Sequence, residues 1–330
     1  MEYRNLGKSG LKVSALSLGS WVTFGKQVDV KLAKKLMSIA YEAGINFFDN
    51  AEVYGQGASE IIMGKALKEL GWERDSYIIS SKVFFGRKKD PLPTQKGLSR
   101  KHIMEACDQA LESLQLDYLD LFYCHRPDPE VPTKEIVFAM NDLIKQGKIL
   151  YWGTSEWEGT RIMHAHAIAE KYNLLGPVME QPQYNLFVRR KVEVEFDYIY
   201  KTVGLGTTVW SPLASGYLTG KYLKNEKVNG RLNIEGYEWL YETILGTKPE
   251  EKKKAVEQFV AYAQELGYTP AQLALAWTVK KPFVSTVILG ASKPEQLKEN
   301  LKALDISNKL SEEEIEKIEK KMYPASDLDC

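Results

Sequence analysis

The chain has little of what would cross-link it or draw it to a charged partner. Three cysteines, Cys107, Cys124 and Cys330, are too few and too scattered for a disulfide framework. The 44 basic residues equal the 44 acidic residues, so no net field favours binding to nucleic acid or to an anionic membrane. No segment has the length and apolarity of a membrane span, and the stretch that starts at Met1 is unlike a signal peptide. These absences favour a soluble, cytoplasmic protein with no nucleic-acid partner and no membrane insertion.

Strand-like apolar runs alternate with amphipathic helical patterns eight times along the chain. Several runs are apolar throughout, as expected for strands that are buried on both faces of a parallel sheet. The intervening segments carry apolar residues at helical spacing. The predicted strands are residues 13–19, 46–49, 77–82, 118–125, 150–155, 178–183, 207–211 and 284–290, and the predicted helices include 30–43, 59–70, 99–114, 134–146, 250–266, 271–279 and 311–322.

Eight strand–helix units predict an α/β fold, a closed (β/α)8 TIM barrel that forms a single domain over residues 1–330. An open doubly wound sheet is the structural alternative, and it usually carries a G-x-G-x-x-G phosphate loop after its first strand. Residues 18–25 (LGSWVTFG) lack that motif, which favours the barrel. Residues 3–13 predict an N-terminal β-hairpin across the bottom of the barrel, and residues 213–267 predict a functional loop with an additional helix.

Polar titratable residues end three successive predicted strands. Asp49, Lys82 and His125 hold these positions, and Tyr54 follows Asp49 in the pattern D-x-A-E-x-Y-G. Sites in such barrels are built at the carboxyl ends of the strands, so these four side chains are expected to meet. A tyrosine has a reference pKa of about 10, and a neighbouring Lys⁺ would lower it enough for proton donation to a carbonyl. A helix-capping aspartate, a solvated lysine and a core histidine are the ordinary alternatives, and the conjunction of all four disfavours them.

This quartet resembles the Asp-Tyr-Lys-His tetrad of the aldo-keto reductases. The resemblance rests on DNAEVYG (49–55), SKV (81–83) and HRPD (125–128) and covers almost the whole chain. It implies reduction of aldehydes or reactive ketones by hydride transfer from NADPH to a small-molecule carbonyl substrate. Tyr54 would be the general acid, Lys82 would lower its pKa, Asp49 would pair with Lys82, and His125 would orient the carbonyl.

A closer resemblance is to the potassium-channel β-subunits and related bacterial reductases. It rests on GSWVTFG (19–25), WSPLASGYLTGKY (210–222) and LGAS (289–292). It implies NADP(H) as cofactor, with Trp210 stacked on the nicotinamide, Ser155 and Gln181 at the carboxamide, and Lys221 and Arg231 at the pyrophosphate and 2′-phosphate. The adenosine end would contact Ser292, Gln296, Glu299 and Asn300, and the other expected contacts are Ser20, Trp21, Asp49, Ser211, Pro212, Leu213, Ala214 and Gly290.

Two positions depart from the channel subunits. Glu156 stands where those proteins usually carry Arg, which leaves its role open. His125 stands where many of them carry Asn, which favours a working reductase over a channel-binding regulatory subunit whose redox chemistry is slow or vestigial. A homotetramer and a channel partner remain open on this resemblance. A barrel hydrolase or aldolase would need a metal cluster or a Schiff-base lysine, and no metal site is expected.

The substrate pocket is expected to be aromatic if the aromatic residues near the strand ends face inward. These residues are Trp21, Tyr54, Phe84, Phe85, Trp157 and the stretch 237–241. Such walls would suit small or aromatic aldehydes.

Overall fold

Eight parallel strands close into a barrel in the computed structural model, which describes residues 1–25, 27–224, 230–233 and 238–328; the side chains of Lys224, Arg231 and Glu238 are outside this description. Each strand pairs with the next along the chain, and the last pairs with the first. This arrangement confirms the predicted (β/α)8 barrel. The barrel strands are β3 (Leu16–Gly19), β4 (Phe47–Asp49), β5 (Ile78–Val83), β6 (Leu119–Cys124), β7 (Ile149–Thr154), β8 (Met179–Glu180), β9 (Gly206–Val209) and β10 (Thr286–Leu289).

The N-terminal hairpin closes the bottom of the barrel. It pairs β1 (Tyr3–Asn5) with β2 (Lys12–Ser14) in antiparallel fashion. Leu6 and Val13 pack against the interior residues Phe47, Ile78 and Met179, which lie at the amino ends of their strands. The turn approaches the barrel so closely that a Cβ on Gly7, at φ +59°, would lie 2.2 Å from the Gly204 carbonyl oxygen. This hydrophobic cluster fills the barrel at the amino ends of the strands, so polar side chains can gather at the carboxyl ends.

Six of the eight predicted strands are shorter in the structure, and two of them show a physical reason. The predicted strand 13–19 is divided, because Val13 and Ser14 belong to the hairpin and the barrel strand begins at Leu16. The predicted strand 178–183 keeps ladder pairing only over Met179–Glu180. Pro182 has no N–H to donate, which limits the ladder beyond this point.

Several of the described helices begin at a side-chain cap. Ser99 Oγ accepts the His102 N–H before α3, and Thr269 and Ser311 form capping boxes with Gln272 and Glu314. The helices are α1 (Val30–Glu42), α2 (Ala58–Leu70), α3 (Arg100–Leu114), α4 (Thr133–Lys145), α5 (Gly159–Lys171), α6 (Asp197–Thr202), α7 (Lys221–Lys224), α8 (Glu238–Leu245), α9 (Pro249–Glu265), α10 (Pro270–Lys280), α11 (Pro294–Leu301), α12 (Ala303–Lys309) and α13 (Glu312–Met322). Within the described ranges, no helix combines the length and apolarity that crossing a membrane requires.

Candidate active site

An ammonium group at the end of β5 joins the carboxylate and the phenol of the predicted quartet. Lys82 Nζ donates to Asp49 Oδ2 at 2.6 Å, to the Asn50 carbonyl at 2.7 Å and to the Tyr54 hydroxyl at 3.2 Å. Lys82 has no exposed surface, and Asp49 and Tyr54 are 2% and 8% exposed. The three side chains therefore form one buried hydrogen-bonded chain that ends at the phenol.

The Asp49 carboxylate is held from its other oxygen as well. Ser80 Oγ donates to Asp49 Oδ1 at 2.7 Å, and Gln181 Nε2 donates to the same atom at 3.1 Å. A buried ion pair needs such additional hydrogen bonds to offset the cost of removing both charges from water. Asp49 is thereby fixed as the partner of Lys82.

Burial and the ion pair act in opposite directions on Lys82. Burial lowers the pKa of the Lys82 ammonium, and the Asp49 carboxylate opposes this effect without cancelling it. The positive charge that remains beside Tyr54 favours the phenolate form of that side chain. The arrangement is suited to a tyrosine that gives up a proton.

His125 is neutral in this environment. Burial lowers its pKa well below the usual value, and the charges of Arg126 and Lys82 lower it further. Its ring meets the Tyr54 ring edge-on, with centroids 5.7 Å apart. Its Nδ1 is buried and has no hydrogen-bond partner among the described residues. A neutral imidazole keeps one N–H, which can donate to a carbonyl oxygen near the phenol.

Asp49, Tyr54 and His125 line a cavity of about 280 Å³ at the carboxyl ends of the strands, whereas Lys82 is fully buried and does not line it. Its polar walls include His125, Arg126 and Ser155, and its aromatic walls are Trp21, Tyr54, Phe85, Trp210 and Trp239. Two larger grooves run along α1, and neither contains a member of the quartet. The part of the chain that the structure describes holds no cluster of three or more His, Cys, Asp or Glu side chains arranged to bind a metal.

The predicted pocket aromatics are only partly correct. Trp21, Tyr54 and Phe85 line the cavity, and so does Trp239 from the stretch 237–241. Phe84 and Trp157 do not line it: Trp157 is fully buried in the hydrophobic core, and the Phe84 side chain packs against that core. Tyr237 lies outside the described residues. Phe84 and Phe85 lie in the bend that follows β5, where the direction of each side chain depends on local backbone angles that aromatic content does not reveal.

Seven of the predicted cofactor contacts line the cavity: Trp21, Asp49, Ser155, Gln181, Trp210, Ser211 and Gly290. Trp210 is partly exposed and stands edge-on to Trp21, with ring centroids 5.8 Å apart. Ser155 Oγ donates to the backbone carbonyl of Gln181 at 2.9 Å, and both residues line the cavity. A flat indole beside two hydrogen-bonding side chains suits a nicotinamide ring and its carboxamide.

The segment 211–220 after β9 is suited to a phosphate. Ser211, Ala214, Ser215 and Gly216 all have positive φ, and the N–H groups of the last three donate within the segment, to the Ser211 carbonyl, the Ser211 hydroxyl and the Leu213 carbonyl. Ser215 Oγ is buried without a partner among the described residues. Lys221 lies alongside, since a Cβ on Gly216 would be 3.1 Å from Lys221 Nζ. The residues present therefore fit a nicotinamide nucleotide.

The other predicted cofactor contacts lie outside the cavity lining. Ser20 is buried and donates its hydroxyl to the Asp49 carbonyl at 3.0 Å. At the start of α11, the Ser292 N–H and hydroxyl both bond to Gln296 Oε1, at 3.1 and 3.3 Å, and Glu299 accepts a hydrogen bond from Gln272. The rest are Pro212, Leu213 and Ala214 after β9, Lys221 at the start of α7 and Asn300 on α11. The prediction for Arg231 falls on a side chain outside those that the structure describes.

Glu156, whose role the sequence left open, holds Trp210. Its Oε1 accepts the Trp210 indole N–H at 2.9 Å and the Gln183 N–H at 2.6 Å, and its Oε2 pairs with Lys191 at 2.7 Å. Burial raises the pKa of Glu156, but Lys191 and the Gln183 amide outweigh this effect and hold the pKa below its usual value. Residue spacing does not indicate these contacts, and Glu156 adopts a backbone φ of +60°, which spacing does not specify either.

Comparison with known proteins defines the class of this barrel. The Aldo/keto reductase family model matches residues 15–322, and the chain belongs to that family. Family membership implies an oxidoreductase, and the family generally uses nicotinamide cofactors.

Three relatives are similar over nearly their whole length. A probable voltage-gated potassium channel subunit beta from Oryza sativa subsp. japonica is 50% identical over 320 residues, 97% of this chain and 96% of the relative. One from Arabidopsis thaliana is 49% identical with the same coverage. A putative subunit from Schizosaccharomyces pombe is 50% identical over 322 residues, 96% of this chain and 92% of the relative. The resemblance to channel β-subunits that the sequence motifs indicated is thus confirmed.

Proposed function

We propose that this protein reduces aldehydes or reactive ketones to alcohols with NADPH, and that Tyr54 is the general acid. The observation that carries the proposal is the contact of one buried ammonium, Lys82, with both Asp49 at 2.6 Å and the Tyr54 hydroxyl at 3.2 Å beside an aromatic cavity. A phenol needs such a neighbour to act as an acid near neutral pH.

The protein supplies the proton and the orientation. A carbonyl oxygen bound between Tyr54 and His125 would accept a hydrogen bond from each. As negative charge develops on that oxygen, the Tyr54 proton transfers to it, and Lys82 stabilises the phenolate that is left. Asp49 keeps the ammonium in place, and the low exposure of all four side chains strengthens these interactions.

NADPH, when bound, supplies the hydride. Trp210 would contact the nicotinamide, and Ser155 and Gln181 would hold its carboxamide. Lys221 and the segment 211–220 would bind the pyrophosphate. A preference for NADPH over NADH would rest on Lys221, Arg231 and Ser292 near the 2′-phosphate. Ser292, Gln296, Glu299 and Asn300 would hold the adenosine end.

The test compares two phenols that lie near the same lysine. Tyr54→Phe should lower kcat for an aldehyde by on the order of 10² to 10⁴, because only the proton donor is removed, and NADPH affinity should change little. Tyr123→Phe is the matched control. Its ring is 5.8 Å from Lys82 Nζ, but its hydroxyl bonds to Thr208 at 3.2 Å and it does not line the cavity. A Tyr54→Phe protein that keeps more than about half of the native kcat would contradict the assignment.

A second candidate function is binding to a potassium channel. It is favoured by the three relatives, whose names describe them as voltage-gated potassium channel β-subunits and which are 49–50% identical to this chain. A homotetramer would accompany this role. Retention of the purified chain by an immobilised channel tetramerisation domain, together with its mass in solution, tests both points. Binding without turnover would favour the regulatory role, and turnover without binding would favour the enzyme alone.

A further inference from the structure

Glu52 belongs to the same segment as Asp49 and Tyr54, but the proposed proton transfer does not use it. Its side chain is 1% exposed. One oxygen, Oε1, accepts the backbone N–H of Phe84 at 2.7 Å and that of Gly86 at 2.8 Å. Its own N–H donates to the Lys82 carbonyl at 3.2 Å. Glu52 therefore connects the segment that carries the phenol to the loop that follows β5.

The second carboxylate oxygen lies near the far end of that loop. Glu52 Oε2 lies 3.3 Å from His102 Nε2, and His102 Nδ1 lies 2.8 Å from the Gly97 carbonyl. The Gly97 N–H donates to the Phe84 carbonyl at 2.6 Å. These contacts form a closed ring through Glu52, Phe84, Gly97 and His102. Glu52 Oε1 therefore fixes the start of the loop 84–97 by two hydrogen bonds, and the Gly97 N–H closes the loop on Phe84, while Glu52 Oε2 approaches His102 without a hydrogen bond.

The loop carries one wall of the cavity. Phe85 stands between the two amides that Glu52 holds, is 38% exposed and lines the cavity. Its ring is 5.2 Å from the His125 ring, edge-on, and 5.6 Å from the Arg126 guanidinium carbon. An exposed phenylalanine on a loop would sample several positions unless its backbone were held on both sides. The Glu52 carboxylate provides that restraint.

We propose that Glu52 is a positioning residue that fixes Phe85 as a wall of the substrate site, and that the two residues together set the preference for carbonyl compounds with an aromatic group. This inference rests on the proposed reductase function. Ring–ring contact with Phe85 would favour an aromatic aldehyde over a short aliphatic one, because the aliphatic compound does not reach the wall.

The kinetic test uses 4-nitrobenzaldehyde and propanal as a matched pair of substrates. Phe85→Ala should raise the ratio of KM for the aromatic aldehyde to KM for propanal about five- to tenfold. Glu52→Ala should reproduce this pattern, and Glu52→Gln, which keeps an acceptor oxygen for the two amides, should show a much smaller change. The double variant Glu52→Ala/Phe85→Ala should be no worse than Phe85→Ala, since both changes act through one side chain.

Hydrogen exchange of single amides provides a readout that needs neither cofactor nor turnover. In Glu52→Ala, the amides of Phe84 and Gly86 should exchange at least about tenfold faster than in the native protein, and in Phe85→Ala they should keep their protection. If no reductase activity is found for the native chain, the proposed function fails, and this exchange measurement still decides whether Glu52 holds the loop.

Two results would overturn the proposal. One is additive losses in the double variant, and the other is lost amide protection without any change in the ratio of the two KM values. If Glu52→Ala does not fold, Glu52→Asp takes its place, because the side chain is one methylene shorter and cannot reach both amides. It should raise the aromatic KM in the same direction, and an unchanged ratio together with lost protection would again reject the inference.

Discussion

At the scale of single residues, the proposed proton transfer depends on the contact of Lys82 with the Tyr54 hydroxyl. Lys82→Met keeps the bulk of the stem and removes the charge that is proposed to stabilise the Tyr54 phenolate. The phenol should then return toward its reference pKa of about 10, so that the residual activity shows a more alkaline ionisation limb. Asp49→Asn should act through the same ammonium, and the two losses should be strongly non-additive. The measurement is the pH dependence of kcat in the native protein, both single variants and the double variant. Unchanged pH profiles, or additive losses of kcat, would mean that Lys82 and Asp49 are ordinary strand-end side chains.

Glu180 gives a residue-scale prediction for stability. Its side chain is fully buried next to Thr154 and the Trp157 N–H, and burial raises its pKa from 4.5 to about 8. The folded state therefore keeps this proton over a range in which the unfolded chain has lost it. Its contribution to stability is complete below pH 4.5 and is lost as the pH rises through about 8.

Glu180→Gln should remove this pH dependence, because a neutral amide resembles the protonated acid. The variant should match the native protein in unfolding free energy at about pH 4.5 and exceed it at about pH 8.5 by a few kcal/mol, at roughly 1.4 kcal/mol per unit of pKa. Denaturant titrations at both pH values measure the difference. Glu265→Gln, at an exposed position on α9, serves as the control and should show no such divergence. Parallel curves for Glu180→Gln and the native protein would contradict the assigned protonation.

The residues of the quartet could be predicted because barrel topology brings strand ends together, so that Asp49, Lys82 and His125 had to be neighbours once the strands were recognised. The hydrogen bond of Glu156 to Trp210 and those of Glu52 to the loop 84–97 could not be predicted. Both are contacts of side chains with groups far along the chain, and their formation depends on local backbone angles that spacing does not specify.

At the scale of elements, side-chain caps mark the starts of several helices. Ser311 opens α13, where its hydroxyl accepts the Glu314 N–H at 3.2 Å. Ser311→Ala should lower the free energy of unfolding by about 0.5–2 kcal/mol, because one N–H at the helix start loses its partner. Catalytic turnover should not change, since Ser311 does not line the cavity. Ser311→Thr keeps an acceptor and is the control; equal losses in both variants would mean that the cap does not act through this hydrogen bond.

The elements were predicted well in their interiors and less well at their edges. The starts of α3, α10 and α13 were predictable because Ser99, Thr269 and Ser311 are side-chain caps. The ends of the strands were not, because an apolar run continues beyond the residues that pair. Val13 shows this most clearly: it continues the apolar run of β3, but it pairs within the hairpin.

The whole molecule follows from the eightfold alternation of strands and helices, which left a closed barrel as the favoured arrangement. The path of the long segment after β9 could not be predicted from this alternation. Trp239 contributes a wall of the cavity from α8, with its ring 6.3 Å from that of Trp21, and no periodic pattern in the sequence indicates that a helix of this segment would return to the mouth of the barrel. The cavity is thus assembled from parts far apart in the chain.

Transfer of deuterium from the nicotinamide to the substrate shows most directly whether the barrel reduces a carbonyl group in this cavity. NADPH carrying deuterium at both C4 positions of the nicotinamide is mixed with the native protein and 4-nitrobenzaldehyde, and the product is analysed by mass spectrometry. If the cavity reduces the aldehyde with NADPH, each molecule of NADPH oxidised should give one molecule of alcohol with one deuterium on the carbinol carbon. With Tyr54→Phe, the yield of this product should fall in parallel with kcat. Alcohol without deuterium, or no alcohol from the native protein, would contradict the account.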